Sequence, residues 1–360
     1  MSTPPLYCDR RLGNVKKYYS YKPDDWDMRI PDELLHCVCF LGVRIADGPD
    51  ARKFYSFGTA FFVGVVQHGY DFSYLVTAKH VIEEATRGGY SRLIVRVNSR
   101  AGNAEYIELG ANSSWITWKN EAIDVAVLPF GLDARVFSYA LIPMEMFAET
   151  QVIKSSSIGI GDDLFAVGLF VQKAGNTRNI PIVRTGIIAA MPTQEEPFIR
   201  KGAEYHAYLA EMRSIGGLSG SPVFVFLDRT RAIDPGIPDG RHYGIFLLGL
   251  IRGHWDLERE LTDSVAVGDV QIGYSKGENL NTGIAVVTPA HYVLGILRSQ
   301  EMHNRRSRGI KERKEKEEPT EDSLPLPPIG ELTQDSVQDV LQRVSRKIPE
   351  SQSKDSDRTK

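Results

Sequence analysis

The chain has 360 residues, 42% of them hydrophobic, enough to bury one large core or two medium ones. Lys and Arg (43) nearly balance Asp and Glu (46), leaving a formal net charge of −3, so no global field draws the protein toward nucleic acid or an anionic membrane. Met1–Arg10 lacks the apolar core of a secretory signal, and the longest apolar runs, such as residues 245–251, are too short to cross a bilayer.

Three cysteines occur: Cys8, Cys37 and Cys39. The last two alternate along an expected strand, share a face and are badly placed to bridge each other. That usage fits a reducing compartment and a soluble, cytoplasmic protein held together by packing alone.

In chain order, residues 1–30 are polar and tyrosine-rich without periodicity and read as an extended arm. Short β-rich runs follow at 35–43, 58–66, 73–77, 93–97 and 122–128, punctuated by glycine and polar clusters as in an all-β barrel. A connecting stretch occupies 131–160. A second set of runs lies at 163–169, 183–188, 205–209, 222–226, 245–251 and 282–287. Residues 289–297 space their apolar side chains as a short helix does. From 301 a mixed-charge run and then a proline-rich piece predict a disordered tail. Within that tail, Val337, Val340, Leu341 and Val344 fall on one face of a weak helix, which suits either a solvated element or a docking site for a regulatory partner.

The chemistry concentrates in three places. Ser219 lies in Gly216-Gly217-Leu218-Ser219-Gly220-Ser221-Pro222-Val223; His80 ends Leu75-Val76-Thr77-Ala78-Lys79-His80; Asp124 opens Asp124-Val125-Ala126-Val127-Leu128. A serine hydroxyl becomes a useful nucleophile when a base takes its proton and a carboxylate holds that base in the right tautomer. Each piece alone has a plainer reading: turn chemistry for the serine, a packed histidine, a strand-end carboxylate. Together, in the order His, Asp, Ser, they resemble the chymotrypsin-like (trypsin-fold) serine peptidases.

That resemblance implies two tandem antiparallel six-stranded β-barrels with the site between them, the first over 31–140 and the second over 141–300, then a short helix and a tail over 301–360. It implies that Ser219 attacks the scissile carbonyl, that His80 moves the proton and that Asp124 orients the imidazole. The backbone N–H groups of Gly217 and Ser219 would form the oxyanion hole. Ser221, followed by Pro222, reads as a structural serine. Where family members made as zymogens carry an aspartate, this chain has Leu218, so an ion-pair activation switch is not available to it. Val81 and Ile215 stand where secreted members carry cysteines. Arg213 occupies the place where basic-specific members put an acidic pocket residue, and Arg252 replaces a small polar residue beside the catalytic aspartate; both are assigned to the substrate pocket.

Other chemistries fit less well. Gly159-Ile160-Gly161-Asp162-Asp163 lacks the strand–loop–helix context of a phosphate loop. His36, Cys37 and Cys39 have no second pair at zinc spacing. The basic residues of 305–316 are interleaved with glutamates, which argues against nucleic acid. The sequence therefore points to a serine endopeptidase acting on protein or peptide substrates without cofactor or metal. The alternative is a catalytically degenerate domain of the same fold that binds peptides or proteins in its cleft.

Overall fold

A computed structural model of the chain describes residues 30–44, 54–90, 92–110, 113–169, 175–192, 198–200, 203–212, 218–227, 244–257 and 280–317. Met1–Ile310 makes up one compact unit and Lys311–Lys360 another. Of the second, only residues 311–317 are described; they are helical.

The first half supplies α1 (Asp32–Leu35), β1 (Val38–Arg44), β2 (Phe54–Gln67), β3 (Tyr70–Thr77), α2 (Lys79–Arg87), β4 (Ile94–Asn98), β5 (Ala104–Glu108), β6 (Ile116–Thr117), β7 (Ala126–Pro129) and β8 (Ile142–Pro143). These strands form an eight-stranded sheet in the order β5-β4-β1-β2-β3-β7-β6, with β8 lying parallel on β2. The expected closure into a first six-stranded barrel is not present among the described residues, where the sheet ends at β5 and β6. The physical reason lies in those two edges. β6 has two residues, and β5 keeps its side chains exposed or half-buried, so neither carries the apolar face that would reward closing the ring.

The second half closes completely. After α3 (Thr150–Ser155), strands β9 (Asp163–Leu169), β10 (Pro181–Ala190), β13 (Tyr208–Glu211), β14 (Pro222–Phe226), β15 (Ile245–Leu257) and β16 (Leu280–Pro289) form a barrel in the order β10-β13-β16-β15-β14-β9. A small hairpin of β11 (Phe198–Arg200) and β12 (Ala203–Tyr205) stands apart from it. Alternation along the strands sorts their side chains. Leu164, Ala166, Val223, Val225 and Leu248 fill the barrel interior. Phe165, Val167, Phe224 and Leu250 face the other way and join the core of the first sheet. Phe165 and Phe224 stack there with centroids 5.1 Å apart, and burying each such side chain contributes about 1.5–3 kcal/mol. Sheet and barrel thus share one apolar layer.

Helix α4 (Ala290–Leu297) follows the barrel, where the apolar spacing predicts it. The tail expectation needs correction at its start: helix α5 (Gln300–Glu317) runs through the mixed-charge segment. Its order comes from a stripe four residues apart, in which Met302, Arg306 and Ile310 are all buried. The Arg306 guanidinium donates to the Gln67 side-chain oxygen (2.5 Å), the Tyr74 hydroxyl (3.1 Å) and the Leu297 carbonyl (2.9 Å). Composition registers Arg306 as one more solvated charge, whereas the fold uses it to cap the last turn of α4. All but the last residue of the 1–30 arm, the 333–346 face and Cys8 lie outside the described residues.

Candidate active site

Strand β3 delivers Thr77 and Ala78, both fully buried, and the chain then turns at once into α2, with His80 as its second residue. Val81 and Ala85, one turn apart, anchor that helix in the core. No side chain at the N-cap serves the first turn of α2. Asp124 takes over that task from across the sheet: its Oδ1 accepts the His80 backbone N–H at 2.9 Å, while its Oδ2 lies 2.7 Å from His80 Nδ1. The positive end of the helix favours a carboxylate at this place. One carboxylate therefore fixes both the main chain and the ring of His80.

Asp124 reaches this position from a tight turn. Ile123 N–H bonds the Asn120 carbonyl, Ala122 N–H bonds the Asn120 side-chain oxygen, and β7 begins two residues after the aspartate. Asp124 is 5% exposed, so little water competes for its oxygens. Burial works against a charged His80 ring. The hydrogen bond and charge of Asp124, with Glu84 of the same helix, outweigh that cost and the opposing Arg252, and hold the ring's proton affinity above the ordinary histidine value.

Ser219 sits in the turn that leads into β14. Gly220 has a positive φ of 84° there, and Ser221 N–H closes back on the Leu218 carbonyl at 2.9 Å. Leu218, just before the serine, is 1% exposed and packs in the barrel interior. The turn is pinned to both halves. The Ser219 carbonyl accepts the Thr59 N–H of β2 (2.9 Å), and Gly220 N–H donates to the Ile251 carbonyl of β15 (2.7 Å). The Ser219 hydroxyl donates to the Arg252 carbonyl at 3.5 Å, and among the described residues it makes no hydrogen bond to His80. Ser221 is fully buried, so a substrate cannot reach it as it stands.

Arg252 turns its side chain toward the aspartate. Its Nη1 donates to the Ala122 carbonyl at 2.9 Å and its Nε lies 3.7 Å from Asp124 Oδ2. A cleft of about 280 Å³ opens here, lined by Lys79, His80, Glu83, Glu121, Asp124 and Arg252. Lys79 bonds Glu121 and lies 3.3 Å from Glu83; the Glu121 bond leads in raising its proton affinity, against some burial. Gly217, Arg213 and Ile215 lie outside the described residues.

Sequence reasoning missed two contributors. Thr59 is fully buried and joins sheet, barrel and serine turn: besides holding Ser219, its carbonyl accepts the Thr77 hydroxyl (2.7 Å) and its hydroxyl accepts the Leu169 N–H (3.3 Å). The charged cleft wall of Lys79, Glu83 and Glu121 is the other. The spacing of Lys79 and Glu83 on a helix, one turn apart, was the available signal.

No protein-family model matches the chain. No curated protein matches it either. Solved structures that it resembles include Deg5, at 16% identity over 68% of this chain and 85% of that one, with a TM-score of 0.36. Another is a catalytically inactive tobacco etch virus protease complexed with substrate, at 15% identity over 63% and 76%, TM-score 0.33. A third is HBP, at 11% identity over 75% and 95%, TM-score 0.40. With TM-scores this low, the functional reading rests on the site itself.

Proposed function

We propose that the protein is a serine endopeptidase of the chymotrypsin-like type, with the open sheet and the closed barrel as its counterparts of the two tandem barrels. The observation that carries this reading is the double hold of Asp124 on His80, through the backbone N–H at 2.9 Å and ring Nδ1 at 2.7 Å. A ring fixed with Nδ1 as the donor keeps Nε2 as the free base.

In the proposed reaction, Ser219 Oγ attacks the carbonyl carbon of a peptide bond as its proton passes to His80 Nε2. Asp124 stabilises the imidazolium that results. The oxyanion takes hydrogen bonds from the backbone N–H groups of Ser219 and Gly217. His80 then gives its proton to the departing amine, which leaves an acyl-enzyme on Ser219. Water, deprotonated by His80, hydrolyses that ester and restores the serine. Attack requires the hydroxyl to swing from the Arg252 carbonyl to His80, and catalytic hydrogen bonds are often long before substrate arrives.

The position of that hydroxyl also favours a second reading, in which the domain binds peptides without cutting them. A fluorophosphonate probe separates the two, because it reacts only with an activated serine. The folded wild type should label on Ser219, and Ser219→Ala and His80→Ala should each lose labelling and peptide hydrolysis almost completely, since the members of such a unit do not act additively. A folded wild type that never labels overturns the peptidase reading; hydrolysis undiminished in Ser219→Ala removes the assignment of the nucleophile.

A further inference from the structure

Arg252 stands at an irregularity of the barrel. In the β15–β16 ladder Ile251 pairs with Val287 and Gly253 with Val286, so Arg252 is the extra residue of a β-bulge. A bulge re-aims the side chain it carries. Here the bulged residue touches both parts of the proposed machinery. Its carbonyl accepts the Ser219 hydroxyl at 3.5 Å, and its guanidinium bonds the Ala122 carbonyl at 2.9 Å, in the turn that presents Asp124. Its Nε lies 3.7 Å from Asp124 Oδ2, the same oxygen that faces His80 Nδ1 at 2.7 Å.

That last distance decides what kind of contact it is. At 3.7 Å the pair is too long for a hydrogen bond and acts through charge. The arginine side chain is 25% exposed and the aspartate 6%, so solvent screens the attraction only in part. A permanent cation sharing Oδ2 weakens the negative charge available to stabilise a protonated His80.

We infer that Arg252 is a positioning residue that fixes the Asp124 turn against the serine turn and tunes His80 toward the free base by drawing on Asp124 Oδ2. This rests on the reading of His80 as the general base. Among the described residues, the other charges around the ring favour its protonated form or are held by partners of their own. Asp124 and, from α2, Glu84 favour the protonated ring, whereas in the cleft Lys79 is held between Glu83 and Glu121. Among the described residues Arg252 is thus a cation set against these carboxylates, and it opposes the pull by which Asp124 favours the protonated ring.

The test compares Arg252→Gln and Arg252→Met, which remove the charge, with Arg252→Lys, which keeps it; all three retain the backbone carbonyl facing Ser219. The protonation midpoint of the His80 ring is read by NMR titration of the folded protein, with the signal assigned by its loss in His80→Gln, so this readout needs no catalysis. Fluorophosphonate labelling rates are followed over the same pH range. The expected result is a midpoint displaced to higher pH in the Gln and Met variants and held near the wild-type value in the Lys variant. Labelling of the neutral variants should be slow on the acid side and recover on the alkaline side, whereas a purely structural lesion lowers it at every pH. An unchanged or lowered midpoint in the neutral variants overturns the inference, as does a Lys variant that shifts as much as they do. A wild type that does not label, with the midpoint displacement intact, overturns the hydrolase reading while supporting the hold of Arg252 on His80.

Discussion

Gly220→Ala isolates the close approach on which the serine turn depends. Gly220 has φ of 84°, and a Cβ added there would press into the Thr59 carbonyl oxygen and the Thr77 hydroxyl, with Ala78 N 3.2 Å away. Forcing alanine into the left-handed region costs about 1–2 kcal/mol. Overpacking against a backbone that cannot retreat adds about 1–3 kcal/mol. Gly69 provides the control, because it has φ of 80° at the β2–β3 turn and a Cβ there meets nothing within 4 Å. Both substitutions stiffen the unfolded chain alike, by roughly 0.4–1 kcal/mol, so that effect cancels in the comparison. Denaturant midpoints at equal m-values should therefore place Gly220→Ala below Gly69→Ala by about 1–3 kcal/mol. Probe labelling should fall further than the loss of folded protein explains, since displacing the turn from Thr59 moves the Ser219 hydroxyl, and a misplacement of about 1 Å can cost roughly 100-fold in rate. Equal destabilisation by the two alanines would refute the steric argument.

Two further substitutions probe buried polar groups by the same denaturation measurement. Ser221 Oγ is buried with no hydrogen-bond partner among the described residues. Ser221→Ala should leave stability unchanged or raise it by up to about 1–2 kcal/mol, because an unpaired buried hydroxyl carries its desolvation cost; a clear loss would mean that the hydroxyl has a partner. Arg306→Leu should destabilise by about 2–4 kcal/mol, because it leaves the Tyr74 hydroxyl oxygen, the Leu297 carbonyl and the Gln67 side-chain oxygen without the donor they share. Labelling per folded molecule should stay at the wild-type level, and an unaltered midpoint would show that the Arg306 hydrogen bonds contribute nothing to the fold.

Strand existence was legible because β-branched and aromatic residues cluster between turn residues, as at Phe54–Gln67, Tyr70–Thr77 and Pro222–Phe226. Sheet closure was not. It depends on whether short edges such as Ile116–Thr117 find partners, and a two-residue strand leaves almost no periodic trace. Helix α5 escaped because Met302 and Ile310 are diluted among charges, and the third buried position is itself an arginine. At the site, residue chemistry and chain order single out His80, Asp124 and Ser219 as candidates; the fold brings the first two within 2.7 Å and leaves the Ser219 hydroxyl on the Arg252 carbonyl. The direction of the Arg252 side chain was not readable, since it follows from a register shift between two strands distant in sequence.

The same contacts explain how a site can be built without disulfides. The described cysteines, Cys37 and Cys39, are both free and fully buried, and burial raises both thiols well above their ordinary proton affinity. They serve the core as small apolar groups. The halves are joined instead by the shared apolar layer around Phe165 and Phe224 and by short polar ties placed next to the proposed reacting atoms. Thr59 bonds Ser219, Thr77 and Leu169, and Arg252 spans from Ser219 to Ala122. Thr77 lies three residues before His80, and Ala122 two before Asp124. The ties that align the two halves thus attach beside each member of the proposed triad, so a relative slip of sheet and barrel would break the site's own hydrogen bonds first. Alignment of the site and cohesion of the two halves are one set of interactions.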